Sequence, residues 1–459
     1  MTDSIVAGAS ALDLAERGLA AMDPGDGAQA SVTSERSLLL RFARSRPTQA
    51  TSLDDTTLEL TAVRDGHVGS AATNRTDADS LRACARAADA AARAAATTAG
   101  QAGLYPGLPS PAPARAHGGH DPETARLDPA VGGAALATSF EVAAGRGVEA
   151  HGAWTAGEVE AAVVSSTGLT ATDRVTDAFL KVVCIADDGR SGYASQAAPA
   201  SGVLDAPALA ARAAGKAAVG ESHRLEPGEY PVVLEPQAVG DLLTWLGTLA
   251  FNGLAYADER SALCGRLGTR VVAPSINLSD SPRYPGTLPR AFDAEGVSKA
   301  PLPLIQDGVA ARVVHDTRSG ALVGAHSTGH ALSPTGSTDG PSPTNLVMIG
   351  GGAADEAELC LPIERGVYVT RLWYTNAVRP KETLLTGLTR DGTFLIEDGR
   401  VTRPLHDLRF TDRVLDILGR VQDLGSRTML ASEGEFYGRR FATGVVCPPL
   451  RAASMRFTA

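Results

Sequence analysis

Hydrophobic and polar positions alternate with two different periods along the first part of the chain. Apolar residues recur at helical spacing over residues 11–22, and Ser10 just before them is suited to cap a helix. Alternation with a period of two predicts strands over residues 37–42, 57–63 and 68–72, with Asp65-Gly66 as a hairpin turn. The alanine-rich residues 77–97 predict a further helix. The chain therefore opens as an α+β structure.

This pattern breaks at residues 100–128, where prolines and glycines are too dense for regular structure, so we predict a long surface loop or linker. Helices are predicted over residues 129–145 and 206–219, and strands between them over residues 148–166 and 178–186. Pro227-Gly228 then marks the expected boundary between two domains, residues 1–226 and residues 227–459.

The carboxyl-terminal domain is predicted to be rich in β-structure. It opens with a strand over residues 230–234 and an apolar helix over residues 239–249. Short β segments follow at residues 269–272, 308–315, 367–373, 393–396 and 401–403. Short strands at this spacing indicate a large sheet or a barrel-like lobe. The predicted fold class is α+β, with an α+β domain followed by a β-rich domain.

Composition and charge narrow the class of protein. Of the 459 residues, 44% are hydrophobic and 20% are charged, which is typical of a soluble globular protein. The net charge of −10 argues against nucleic acid or an anionic membrane as a partner. The five cysteines are odd in number and far apart, so we expect no disulfide framework and a reducing compartment. Since no signal segment or apolar span is visible, we expect a cytoplasmic protein.

Several collinear motifs in the carboxyl-terminal half resemble one known family. They are Glu-Tyr-Pro-Val-Val-Leu-Glu-Pro at 229–236, Phe-Asp-Ala-Glu-Gly-Val at 292–297, Ser-Thr-Gly at 327–329 and Thr-Gly-Leu-Thr-Arg-Asp-Gly-Thr-Phe-Leu-Ile-Glu-Asp-Gly-Arg at 386–400. Together they resemble the TldD/PmbA family, and its PmbA (TldE) branch in particular. The resemblance implies a heterodimer of two similar subunits, in which a TldD-like catalytic subunit supplies the zinc and this subunit contributes walls and contacts for a peptide substrate.

The helix that carries the zinc motif in TldD relatives is different here. Those relatives are expected to have His-Glu-x-x-x-His directly after the strand that resembles residues 230–234, because two histidines bind the metal and the glutamate accepts a proton from the bound water. Here Thr244, Trp245 and Leu249 stand at those positions, and no His-Glu pair occurs in the chain. We therefore expect no catalytic residue, metal ligand or bound cofactor in this chain, and zinc only in the partner.

Four polar residues are candidates for substrate contacts. His326 and His330 have i, i+4 spacing, but the serine, threonine and glycine between them indicate a loop, so we expect solvated or backbone-bonded side chains. Asp293 and Glu295 flank an alanine, and either a cation site or hydrogen bonds to neighbouring amides would explain the pair. Cys447, in an apolar segment, is interpreted as structural.

Three hypotheses for function follow from these features. The leading one is a TldE-like, non-catalytic subunit of a cytoplasmic zinc metallopeptidase that trims or matures peptides. The second is a stand-alone hydrolase or peptide-modifying enzyme that reuses the cavity with Asp293, Glu295, His326 and His330. The third is a peptide-binding protein without catalysis.

Overall fold

The amino-terminal half is one antiparallel sheet with four helices. The computed structural model describes residues 10–99, 104–334, 339–432, 434 and 438–458, so the first four residues of the predicted 100–128 loop lie outside the described residues. The helices are α1 (Ala11–Ala20), α2 (Ala78–Ala99), α3 (Pro129–Ala144) and α4 (Ala206–Ala217). The strands are β1 (Gly27–Ala43), β2 (Arg46–Arg64), β3 (His67–Thr73), β4 (Glu149–Ser165), β5 (Thr170–Ile185) and β6 (Ser191–Ala198). They pair in the order β3-β2-β1-β4-β5-β6.

Helix ends and packing follow the sequence. The Ser10 side chain accepts a hydrogen bond from the Asp13 amide at 3.1 Å, which confirms the predicted cap of α1. Helices α1 and α2 bury apolar side chains against β1 and β2, while α3 and α4 pack against the part of the sheet that includes Trp154. The sheet is therefore covered by two separate groups of apolar residues.

The carboxyl-terminal half contains two further sheets. Its helices are α5 (Pro236–Leu249), α6 (Gly253–Ala257), α7 (Thr317–Leu322), α8 (Glu356–Cys360) and α9 (Val414–Gly419). Its strands are β7 (Gly228–Leu234), β8 (Leu278–Asp280), β9 (Leu302–Gln306), β10 (Val309–Ala310), β11 (Asn345–Met348), β12 (Arg365–Arg379), β13 (Leu384–Glu397), β14 (Arg400–Pro404), β15 (Arg409–Arg413), β16 (Val421–Leu424), β17 (Met429–Ala431), β18 (Gly444–Cys447) and β19 (Leu450–Phe457).

One of these sheets closes on itself. Strands β12, β7, β19, β15 and β13 pair in that order, and β13 pairs again with β12, so these five strands form a ring. The other sheet is open, in the order β10-β9-β8-β11-β18-β17. The predicted α+β fold with a β-rich, barrel-like second half is confirmed. Among the described residues, no helix is both long enough and apolar enough to cross a bilayer.

Two predicted strands are wrong and several are too short, including the segments predicted within β1, β2, β5, β12 and β13. Residues 269–272 form only an isolated bridge, from Arg270 to Val309, and residues 308–315 contain the two-residue strand β10 and an isolated bridge from Val314 to Asn252. Strands β1 and β2 extend well beyond the predicted segments 37–42 and 57–63: residues 46–54 of β2 are exposed, whereas the missed first part of β1 is mostly buried. The exposed part of β2 has no apolar alternation, and the missed part of β1 buries small residues such as Ala28 and Ala30, which give a weak signal.

Candidate functional site

A cavity of about 200 Å³ lies between the amino-terminal sheet and loops of the carboxyl-terminal half. Val32 of β1 and Val159 of β4 line one side, and Phe292, Asp293 and His330 line the other. Apolar walls with a few converging polar groups are the usual composition of a ligand site. The structure therefore brings two of the four predicted contact residues, Asp293 and His330, into one cavity.

His330 belongs to a fully buried charged cluster with Asp280 and Lys299. Its Nε2 lies 3.2 Å from Asp280 Oδ1, off the line of a hydrogen bond, and Lys299 Nζ lies 3.3 Å from the same oxygen. The other oxygen, Asp280 Oδ2, accepts the backbone amides of Thr344 and Asn345 at 2.8 Å each. Asp280 thus joins three loops at the floor of the cavity.

Electrostatics fix the charge states in this cluster. Burial opposes ionisation of Asp280, but the charge of Lys299 and the contact with His330 hold the pKa of its carboxyl well below the usual range. Burial, together with the charge of Lys299, lowers the pKa of His330. The cluster is therefore an aspartate–lysine ion pair beside a neutral imidazole.

The expectation for the two histidines is only half right. His326 is exposed in the loop after α7, as expected of a loop histidine, and it does not line the cavity. His330 is buried, and its Nδ1 lies 2.9 Å from the Thr328 hydroxyl rather than in solvent. The i, i+4 spacing gave no sign of this, because the partners of His330 come from distant loops.

Asp293 and Glu295 bond neighbouring backbone amides, which was the structural alternative for this pair. Asp293 Oδ1 accepts the amides of Glu295 and Val297, and its Oδ2 accepts the amide of Ala331 at 2.9 Å. Glu295 Oε2 accepts the Thr317 amide at 2.9 Å and lies behind the cavity wall. Both carboxylates thus tie the cavity loop to adjacent chain segments.

Burial raises the pKa of both carboxyl groups. The pKa of Asp293 rises to about 6, and that of Glu295 rises to about 8 through burial and then through the charge of Asp293. Because the two groups interact, they share protons as a pair. Near neutral pH the pair therefore carries fewer than two negative charges.

Arginines complete the cavity, and the sequence gave no reason to single them out. Arg440 is buried and binds Asp177 of β5 through Nε and Nη2, at 2.8 and 2.6 Å. Arg290 lies with its guanidinium carbon 3.7 Å from the ring centroid of Phe441 and donates to the carbonyl of Ala442 at 3.0 Å. Isolated arginines in loops carry no periodic signal, so only the folded chain reveals their convergence.

Helix α5 is on the other side of the open sheet from this cavity. Its face packs toward Ala431 of β17 and Val445 of β18. The alternate residues of those strands, Leu430 and Val446, point to the opposite face together with Ala442. The cavity and helix α5, where a zinc motif would be expected, therefore lie in separate parts of the fold.

The residues of α5 do not fit a zinc ion. The exposed Thr244 uses its hydroxyl to donate to the Gly240 carbonyl at 2.8 Å, and Leu249 is packed in the core with Trp245 against it. A hydroxyl bonded to its own helix and two hydrocarbon surfaces are not the nitrogen, sulfur or carboxylate ligands that zinc takes. Among the described residues, no three His, Cys, Asp or Glu side chains are grouped to hold a metal ion.

Comparison with known proteins identifies the family. The model of the PmbA/TldA metallopeptidase carboxyl-terminal domain matches residues 227–459, and that of domain 1 matches residues 28–92. The chain belongs to the TldD/PmbA metallopeptidase family. Within this family, its fold is similar to TldE from Thermococcus kodakarensis, at a TM-score of 0.83 and 20% identity over 97% of this chain and 99% of that chain.

Two more proteins are similar to this chain. A solved structure from Thermotoga maritima is similar at a TM-score of 0.81 and 20% identity, over 94% of this chain and 96% of that chain. A metalloprotease of Methanothermobacter thermautotrophicus is 26% identical over 200 residues. That match spans 43% of each protein, less than half the length of the curated relative.

Proposed function

We propose that this TldD/PmbA-family chain is a non-catalytic, TldE-like subunit that pairs with a TldD-like zinc subunit in a cytoplasmic peptidase. The single observation that carries the proposal is the composition of α5. At the positions where the catalytic branch is expected to have zinc ligands, the chain has the self-bonded Thr244 and the packed Leu249. Zinc chemistry would then come from the partner.

An exposed aromatic surface beside α5 is suited to contact that partner. Tyr374 of β12 is 75% exposed, and Trp373 and Val378 on the same strand are also exposed. The Thr375 hydroxyl donates to Asp241 of α5 at 2.8 Å, so this surface adjoins the exposed face of the helix. Large apolar side chains grouped on a surface often mark a protein interface. A partner seated here would cover both β12 and α5.

Co-expression with a TldD-like chain tests the proposal. We expect the two chains to co-elute on size exclusion and the TldD-like chain to gain peptidase activity. Tyr374→Glu should weaken co-elution, because it places a charge in the contact surface. Leu361→Glu, which changes a 67% exposed leucine after α8, is the matched control and should leave the pair intact. Equal peptidase activity with and without this chain would contradict the proposal.

A second candidate, a peptide-binding protein without catalysis, is favoured by the cavity between the two halves of the chain. It needs no partner, so binding of a peptide by the isolated chain without any gain of activity on co-expression would support it. The stand-alone hydrolase has less support. Asp293 already accepts three amides, and the ring nitrogens of His330 face Asp280 and Thr328.

A further inference from the structure

We propose that the cavity between the two halves of the chain binds the carboxylate of a small ligand with an apolar body, with Arg290 as the group that recognises it. Neither the fold nor the proposed accessory role requires such a site. One source of the carboxylate is the carboxyl terminus of a short peptide, and only this source rests on the proposed function. The other source is a free carboxylic acid with a short hydrocarbon chain.

Arg290 has unused hydrogen-bonding capacity. Its Nη2 donates to the Ala442 carbonyl at 3.0 Å, and its guanidinium stacks on the Phe441 ring. Among the described residues, no acceptor reaches its buried Nε and no carboxylate forms an ion pair with it. A guanidinium held this way is suited to a ligand carboxylate, whose planar pair of oxygens matches its donors.

Most of the other charged groups that line the cavity are held by other groups of the chain. Lys299 faces Asp280, and Arg440 binds Asp177. Asp173 accepts the amide of Ala291 at 2.8 Å and lies 2.8 Å from His117 Nε2. Arg439 and Glu59 also line the cavity, and the charge of the exposed Arg439 acts on Glu59, whereas Arg290 forms no ion pair among the described residues.

Burial of this cation has an electrostatic consequence. Burial lowers the pKa of Arg290 to about 10, although the charges of Asp173 and Asp177 oppose the shift. A cation that is desolvated without a direct counter-ion costs free energy, and an anionic ligand would offset that cost. The unused donors of Arg290 and its desolvated charge thus both favour an anionic ligand.

The size and polarity of the cavity limit which ligand fits. Val159, Val163 and Phe292 are buried residues that form apolar walls. The volume of about 200 Å³ is below the roughly 300–1,000 Å³ of sites for drug-sized ligands. The cavity therefore suits one short apolar group ending in a carboxylate, not a long chain.

Calorimetric titration of the isolated full chain tests the site with three probes. They are the tripeptide Ala-Ala-Leu, the same tripeptide with an amidated carboxyl terminus, and 4-methylpentanoate. We expect at least one free carboxylate to bind and the amidated peptide to bind about tenfold or more weakly, since a hydrogen bond to a charged group is lost. Binding of the tripeptide alone identifies a peptide terminus as the source, and binding of 4-methylpentanoate alone identifies a free acid.

Variants separate recognition from folding. Arg290→Gln should weaken binding of the carboxylate by about tenfold to a hundredfold. Arg82→Gln, which changes an exposed arginine of α2 that pairs with Asp79, is the matched control and should bind as the wild type does. Ala161→Leu fills part of the cavity without changing any charge and should also weaken binding, so the test survives if Arg290→Gln does not fold.

Three results would overturn the carboxylate site: no binding of either free carboxylate by the wild type, equal binding of the amidated peptide, or unchanged binding by both cavity variants. All three are measured without a partner chain. Failure here therefore leaves the heterodimer proposal standing, and failure of co-elution leaves the cavity site standing.

Discussion

Arg440 and Asp177 are 263 residues apart in the sequence and form a two-point ion pair in which both side chains are almost fully buried. Nε and Nη2 of the arginine each donate to a different carboxylate oxygen, and its Nη1 donates to the Thr155 hydroxyl at 3.0 Å. The Arg440 backbone amide donates to Glu35 at 2.7 Å. One residue of the carboxyl-terminal half therefore bonds to three strands of the amino-terminal sheet.

Removing one member of this pair should destabilise the protein strongly. We expect Asp177→Asn to lower the free energy of unfolding by about 3–5 kcal/mol, because Arg440 would be left as a buried charge without a full partner. Urea denaturation measures this change. Asp188→Asn, which changes a solvent-exposed partner of Arg190, is the matched control and should leave the urea midpoint nearly unchanged. Equal effects of the two changes would contradict the buried-pair argument.

Two adjacent glycines of α3 should respond in opposite directions. A Cβ on Gly132 would lie 2.5 Å from the Trp154 ring and 2.7 Å from Leu40, so Gly132→Ala should lower the free energy of unfolding by about 1–3 kcal/mol. Gly133 is exposed with no atom within 4 Å of a Cβ, so Gly133→Ala should raise it by about 0.5–1 kcal/mol. Thermal unfolding of both variants checks the pair, and a shift of the same sign in both would show that α3 packs differently.

Glu295 should make stability fall as pH rises. Its pKa is raised to about 8 in the folded chain from an ordinary value of 4.5, so the folded chain keeps a proton that the unfolded chain loses. Stability is therefore highest below about pH 4.5 for this group and declines until about pH 8. Glu295→Gln keeps an acceptor for Thr317 and should flatten this decline, as measured by urea midpoints at pH 5 and pH 8. Parallel pH profiles for wild type and variant would refute the assignment.

Zinc ligands placed on α5 should not create an enzyme. We expect the purified chain to hold no stoichiometric zinc after dialysis, and the triple change Thr244→His, Trp245→Glu, Leu249→His to have no peptidase activity, since a third ligand and its outer partners are missing. Polar groups at the two packed positions should cost several kcal/mol, about the scale for uncompensated burial.

The single change Thr244→His separates these effects. Because Thr244 is exposed, it should alter the free energy of unfolding by no more than about 0.5 kcal/mol. Metal analysis and peptide hydrolysis give the readouts. An active and stable triple variant would mean that the remaining geometry of a zinc site is already present in the chain.

The sequence predicted the order of elements well where local pattern decides structure. The helices that became α1, α2 and α3, and the strand and helix that became β7 and α5, lie within a few residues of their predicted bounds. Prediction failed at residues 269–272 and 308–315, where apolar residues fill the core from loops and short bridges. In such segments burial gives the same apolar signal as a strand, because packing does not require a partner strand.

The site was less predictable than the fold. Asp293 and His330 were singled out because each lies in a recognisable motif, and both line the cavity. Asp280 at the end of β8 and Lys299 and Arg290 in loops were missed, because the groups that contact each of them come from other parts of the chain. Whether a charged residue has a buried counter-ion depends on which residues lie close together in the folded chain, and a single sequence does not show this.

The ion pair between Arg440 and Asp177 of the amino-terminal sheet limits which halves of relatives can replace either half of this chain. A hybrid that joins this amino-terminal half to a foreign carboxyl-terminal half would bring together Asp177 and whatever residue replaces the arginine. Unless that residue is also a cation with a side chain long enough to contact Asp177, the hybrid keeps a buried carboxylate without a counter-ion. Compatibility between two halves therefore depends on this buried ion pair, and a stable hybrid requires that both of its residues are transferred together.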